Sequence, residues 1–262
     1  LPDGAHREAA KGKPNPSSGK STYVAMGDSY ASGNGTFNAD LDGPCYRSSD
    51  AYAPLVAKQL RRTTLTFVAC SGATTQDVVS EQLGALDAKT TYATVSVGGN
   101  DIGFTDLISA CVSGGESVCA AAVATAESAI ADELPGKLDT AYAAIGNEAP
   151  TATVVVVGYP RGFDPARVSC FQAYGISPTE AGLLNGVSDD LNAVIGDRAD
   201  SAGFRYVDPS EAFAGHDVCA STPYLNGFLP VVTGDTRDAY HPTTAGHANG
   251  FEPLVYDALT TR

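Results

Sequence analysis

The stretch Tyr23-Val24-Ala25-Met26-Gly27-Asp28-Ser29-Tyr30 runs an apolar segment directly into a serine flanked by small residues. A short apolar run of this kind reads as a buried strand. A serine at its end is anchored by the strand, while the loop that follows leaves its hydroxyl accessible. That is a suitable place for a nucleophile. A Gly-Asp-Ser triplet also arises by chance, so its meaning depends on what the rest of the chain supplies.

Upstream, residues 1–21 are rich in Lys, Pro, Gly and Ser and have no apolar periodicity. They read as a mobile tail or propeptide remnant, leaving 22–262 as one domain. The chain begins at Leu1, which reads as a processed form, and no signal peptide is visible. Downstream, short apolar runs alternate with longer amphipathic stretches. Leu65–Ala69, Thr94–Val97, Thr153–Val157 and Phe204–Val207 read as strands after Tyr23–Met26. Ser48–Arg62 (with Ser48, Ser49 and Asp50 as possible caps), Thr74–Leu86, Glu116–Ile145, Pro178–Ala202 and Thr244–Leu259 read as helices. Segments 30–47, 102–115 and 161–177 read as loops.

A β-α-β-α order predicts a parallel sheet with helices on both faces and right-handed crossovers. Sites in such sheets form at the carboxyl ends of the strands. The first three strands lead to Ser29, Gly72 and Asn100, so all three are expected on one rim. The connection 208–240 is long, and long connections in compact domains are more often functional than idle.

The chain has 262 residues, 43% of them hydrophobic, enough for one sizeable core. Its formal net charge of −14 argues against nucleic acid and anionic membrane surfaces as partners. No apolar run approaches the length needed to cross a bilayer. The six cysteines, at 45, 70, 111, 119, 170 and 219, include no CxxC pair and no Cys/His cluster with zinc spacing, so no metal site is expected. An even count with wide spacing points to disulfides and an oxidising compartment. The simplest pairing joins sequence neighbours: Cys45–Cys70, Cys111–Cys119 and Cys170–Cys219. Buried free thiols are the alternative. Asn38-Ala39-Asp40-Leu41-Asp42-Gly43 resembles half of a calcium loop, but Ser49 stands where a bidentate Glu is required, and the segment reads as a surface turn.

Acyl transfer needs a nucleophile, a base and donors for an oxyanion. Four histidines are available. His6 is in the tail, and His216 and His247 have no acidic partner at an obvious local spacing. His241 lies in Asp238-Ala239-Tyr240-His241-Pro242, where the carboxylate three residues earlier could accept from Nδ1–H and fix the tautomer. The competing reading has His241 capping the last helix. Asn100, in Val97-Gly98-Gly99-Asn100-Asp101, offers a side-chain amide beyond a strand end. Gly72, in Cys70-Ser71-Gly72-Ala73, offers an unobstructed N–H, and the Ser29 N–H could be the third donor. Each alone reads as an ordinary turn residue; three strand ends mimicking one site together do not.

Gly27-Asp28-Ser29, Gly72, Gly98-Gly99-Asn100-Asp101 and Asp238-x-x-His241 stand in the order of the four blocks of the SGNH (GDSL-type) hydrolases. The resemblance spans about residues 22 to 261 and is nearest to the secreted actinobacterial lipases, esterases and phospholipases A1. It implies a three-layer α/β/α sandwich with a central, mostly parallel five-stranded sheet, and neither metal nor cofactor. It assigns Ser29 as nucleophile, His241 as base, Asp238 as orienting acid, and Gly72, Asn100 and the Ser29 N–H as oxyanion donors. It also implies three sequential disulfides. Tyr30 departs from the family pattern, which has Leu there. Some relatives orient the histidine with a backbone carbonyl, which puts the role of Asp238 in question. Asp28 and Asp101 are read as structural hydrogen-bonding residues.

The implied function is a secreted, monomeric serine ester hydrolase acting on acyl esters such as lipids. A carbohydrate esterase removing acetyl or feruloyl groups is the alternative, because one block set serves both. A binding protein on an esterase scaffold is a third reading, against which the intact Ser29, Gly72, Asn100 and His241 speak.

Overall fold

A computed structural model describes residues 20–228 and 237–261. His6 and the tail expectation for residues 1–19 lie outside that range. Five strands form one sheet in the order β2-β1-β3-β4-β5: β1 (Ser21–Gly27), β2 (Thr63–Phe67), β3 (Tyr92–Ser96), β4 (Thr153–Val157) and β5 (Arg205–Val207). Every neighbouring pair is parallel. The expectation of a mostly parallel sheet is therefore met by a fully parallel one. Val154–Val157 and Tyr23–Met26 are buried, as central strands covered on both faces require.

Among the described residues eight α-helices flank the sheet: α1 (Ser29–Ser32), α2 (Tyr52–Gln59), α3 (Thr75–Asp77), α4 (Phe104–Gly114), α5 (Glu116–Asp132), α6 (Leu134–Glu148), α7 (Pro178–Ser201) and α8 (Glu252–Thr260). The longer ones pack in two sets, α2 against α8, and α4 to α7 with one another, giving the three-layer α/β/α sandwich. Ser177 and Glu180 close a capping box at the start of α7.

Several boundaries differ from the sequence reading. Ser21, placed in the tail, opens β1. The helix expected from Ser48 starts at Tyr52, because the Ser48 hydroxyl accepts from the Asp50 N–H in a tight turn and does not cap the helix. Glu116–Ile145 is two helices, parted at Glu133 with Pro135 in the first turn of the second. The predicted loop 102–115 contains α4. Its Phe104, Leu107, Ile108, Cys111 and Val112 follow a helical stripe that was legible, but flanking glycines at 103, 114 and 115 mask it. Thr74–Leu86 turns α-, then π-, then 3₁₀-helical, and the last helix opens with a π-helical stretch over Gly246–Phe251.

The strand order reverses between β1 and β3, and at this switch point a crevice opens beyond the carboxyl ends. Gly27 has φ +127°, and a Cβ there would meet the Ser96 carbonyl of β3 at 2.2 Å. Only glycine lets the two strands lie together where the chain turns toward Ser29. The Gln82 amide brackets the same residue, accepting from Gly27 N–H at 2.8 Å and donating to its carbonyl at 2.9 Å.

Three disulfides join Cys45 to Cys70, Cys111 to Cys119 and Cys170 to Cys219. These are the sequential pairs expected. The calcium-loop look-alike is a surface turn in which Asp40 accepts from the Ser49 N–H and Asp42 pairs with Arg47.

Candidate active site

Ser29 is the first residue of α1, directly after β1 and Asp28. Its side chain is largely buried, and its Oγ lies 2.7 Å from His241 Nε2. Residues 212 positions apart in sequence thus make a hydroxyl–imidazole contact of the kind that acyl transfer needs. The other imidazole nitrogen, Nδ1, lies 2.8 Å from the carbonyl oxygen of Ala239. With Nδ1–H donating there, Nε2 is free to accept from the serine. Burial pushes His241 down to about 4, against the smaller upward pull of the Ala239 carbonyl and Asp238. The imidazole is therefore neutral, as a base must be, at neutral and mildly acidic pH.

The hydrogen bond expected between Asp238 and His241 is replaced by the one to Ala239. Asp238 is buried and faces the other way: Oδ1 accepts from the Gly35 N–H at 2.5 Å, and Oδ2 from the Tyr46 hydroxyl at 2.5 Å. A carboxylate three residues before a histidine can reach Nδ1 only if the chain curls back, and here Tyr240 takes a left-handed φ of +57° that hands the bond to a carbonyl. Asp238 instead ties the His241 segment to the loop after the nucleophile. Gly35 permits this contact, since a Cβ there would lie 2.2 Å from the Pro242 carbonyl. Asn226 completes the tie, donating to the Gly35 carbonyl at 2.8 Å and to the Asp238 carbonyl at 3.2 Å. Nothing local in the sequence marked Asn226 or Tyr46.

The three candidate oxyanion donors share one cavity lining with Ser29 and His241. The Ser29 N–H heads a helix, where amides have no intrahelical acceptor. Gly72 lies between Ser71 and Ala73, whose N–H groups are used by the Cys45 and Cys70 carbonyls. Asn100 Nδ2 donates to the Ala73 carbonyl at 2.9 Å. That bond fixes the amide and leaves its second N–H for a ligand. Asp28 is fully buried beneath this rim, accepting from the Tyr159 hydroxyl at 2.5 Å and the Tyr30 N–H at 2.9 Å. Burial pushes it up to about 7. Tyr159 also accepts from the Gly99 N–H at 3.2 Å, so it braces the first and third strand ends together. The sequence reading missed it. Asp101 accepts from Thr75 N–H and hydroxyl, which fits its structural reading.

The other two described histidines are engaged elsewhere. His216 stacks on Tyr224 with ring centroids 3.7 Å apart. His247 is buried against Tyr52, and its burial pushes it down to about 3. Among the described residues no group of His, Cys, Asp and Glu could hold a metal ion.

The cavity above Ser29 has a volume of about 560 Å³. Phe104, Ile108 and Val112 of α4 line one wall at four-residue spacing, and Phe228 and Tyr240 contribute apolar surface. The loop expectation for 102–115 thus correctly located part of the wall while missing that it is helical.

Residues 25–248 match the GDSL-like Lipase/Acylhydrolase family. Lipase 1 of Streptomyces coelicolor is 43% identical over 237 residues, which cover 90% of this chain and 86% of that protein. The crystal structure of an extracellular lipase from Streptomyces rimosus is 40% identical, with a TM-score of 0.84 over 91% of this chain and 99% of that one. Phospholipase A1 from Streptomyces albidoflavus is 39% identical, with a TM-score of 0.86 over 92% of this chain and all of that one. The ordered blocks, the Ser29–His241 contact and these similarities converge: the chain belongs to the GDSL-like lipase and acylhydrolase family.

Proposed function

We propose that the chain from β1 onward forms one secreted, monomeric hydrolase domain that cleaves lipid acyl esters through a Ser29–His241 dyad. Membership of the family makes the chain a carboxylic-ester hydrolase. The observation carrying the finer reading is the cavity itself: an apolar wall of Phe104, Ile108, Val112 and Phe228 leads to the Ser29 hydroxyl. Such a wall suits an acyl chain, whose burial contributes about 0.8 kcal/mol per methylene. A sugar ring offers it less. Secretion is supported by the three disulfides and by the extracellular S. rimosus relative.

In this reading Ser29 Oγ attacks the ester carbonyl carbon while His241 Nε2 takes its proton. The carbonyl oxygen becomes an oxyanion held by the Ser29 N–H, the Gly72 N–H and Asn100 Nδ2. The Ala239 carbonyl stabilises the imidazolium and holds its ring. Collapse breaks the bond to the alcohol, which leaves with the proton from Nε2. Water then attacks the acyl-enzyme, again with His241 as base, and releases the acid and free Ser29.

A panel of aryl esters of rising chain length, triacylglycerol, phosphatidylcholine and acetylated or feruloylated xylan tests the substrate class. Long-chain lipid esters are expected to be the best substrates; a preference for the xylans would replace this reading by a carbohydrate esterase. Fluorophosphonate labelling of Ser29 tests the chemistry, and no labelling would favour a binding protein.

A further inference from the structure

The residue after the nucleophile is Tyr30, where the family pattern has Leu. Its hydroxyl donates to the Tyr240 carbonyl at 2.7 Å. Its ring packs edge-on against Tyr159, with centroids 5.1 Å apart, and tilts against the His241 imidazole at 5.2 Å. The bonded carbonyl belongs to the peptide that joins Tyr240 to His241. The preceding carbonyl, that of Ala239, is the one that holds Nδ1. Between the two lies Tyr240, in a left-handed conformation that is strained for a non-glycine residue and persists only where neighbours impose it. If Tyr240 relaxed, His241 would turn relative to the Ala239 carbonyl, and the imidazole would lose both its anchor and its approach to Ser29.

We propose that Tyr30 is a positioning residue for the reaction: its hydroxyl locks the strained Tyr240–His241 peptide, and through it sets the imidazole against Ser29. This rests on the dyad reading above. Nucleophile and lock are adjacent residues of α1, so the base is registered directly to the turn that carries the serine. Leucine at this place could not hold the carbonyl, having no donor. Burial raises the phenol, so it stays a donor throughout the working range.

The test is Tyr30→Phe, which keeps the ring and removes the lock. On a soluble aryl ester kcat should fall about tenfold to hundredfold, the scale of a misplacement near one ångström, with KM held within about twofold. Fluorophosphonate labelling of Ser29 should slow by the same factor, with thermal stability little changed. Tyr30→Leu serves as the second variant and should lose at least as much kcat, including where Tyr30→Phe fails to fold. Unchanged kcat in a folded Tyr30→Phe or Tyr30→Leu protein would overturn the proposal. So would a rise in KM alone, which would make the hydroxyl a substrate contact. A wild-type protein that Ser29 reagents do not label would instead overturn the dyad reading.

Discussion

Two halves of the site are held in different ways. Ser29 and Asn100 stand just beyond β1 and β3, and Gly72 follows β2, so the parallel sheet's own hydrogen bonds fix the rim that holds the proposed nucleophile and oxyanion donors. His241 comes at the end of the long connection after β5, where among the described residues no strand of the sheet holds it, only a backbone bridge in which the Asn226 N–H donates to its carbonyl at 2.9 Å. That connection is moored by cross-links: Cys170–Cys219, the Val218 N–H to the Gly162 carbonyl at 3.1 Å, Arg167 to Asp217 at 2.5 Å, and the clamp of Asp238 on Gly35 and Tyr46. The lesson is that a rim made of strand ends is rigid by construction, whereas a base on a loop depends on ties made elsewhere.

The largest effects should come from the contact between the halves. Ser29→Ala should abolish acyl-enzyme formation and lower kcat by about three decades or more, with His241→Ala nearly as damaging because the two act as a unit. Near-normal turnover in either folded variant, measured on an aryl ester, would break the comparison at its centre. Next is the mooring of the loop half. Replacing Cys170 and Cys219 opens a loop closed over 49 positions, and the chain-entropy model gives about 4 kcal/mol of lost stability. Thermal denaturation should register that loss, with activity falling as well; an unchanged melting temperature would show that the other ties suffice.

Asn100→Ala probes the rigid half. Its kcat should drop by about two to three decades with little change in KM, because its amide matters most as the oxyanion forms. A change confined to KM would recast Asn100 as a ground-state contact. Asp238→Asn sharpens the contrast further. A carboxylate orienting the imidazole would be expected to cost about four decades when converted to amide. A clamp on Gly35 and Tyr46 should cost about one decade in kcat and, through a mismatched buried donor, about 1–3 kcal/mol of stability. Tyr46→Phe should resemble it more mildly. A four-decade loss in kcat/KM would restore Asp238 to the triad.

The smallest effect is a displaced acid limb. Protonated His241 cannot take the serine proton, so kcat/KM falls as pH drops through its pKa. Because burial pushes that value down to about 4, activity should hold through pH 6 and decline only near 4. A limb near the ordinary histidine value of about 6.5 would show an imidazole open to water.

The strand-end half was almost wholly legible. Ser29, Gly72 and Asn100 each follow a short apolar run, and the rule that sites form at carboxyl ends placed them on one rim. The wall of the cavity was half legible: the stripe Phe104, Leu107, Ile108, Cys111, Val112 has helical period, but the glycines around it read as loop. The break at Glu133 was hidden by an alanine-rich run whose helix propensity is high on both sides, although Pro135 marks it. The ties of the loop half left little local trace, because Asp238 meets Gly35 and Tyr46 across 203 and 192 positions, and Asn226 meets Gly35 across 191.

Sequence by itself determined the sheet, its rim, and the serine and histidine that meet there. Each rests on a run of residues short enough for periodicity, turn chemistry and block order to speak. Tertiary structure alone decided which oxygen orients the imidazole. Asp238 and the Ala239 carbonyl are both near His241 along the chain, and the choice between them falls to Tyr240's backbone, Gly35, Tyr46 and Tyr30. A hydrogen bond depends on direction as well as proximity. Direction here is set by groups that meet only when the chain is folded.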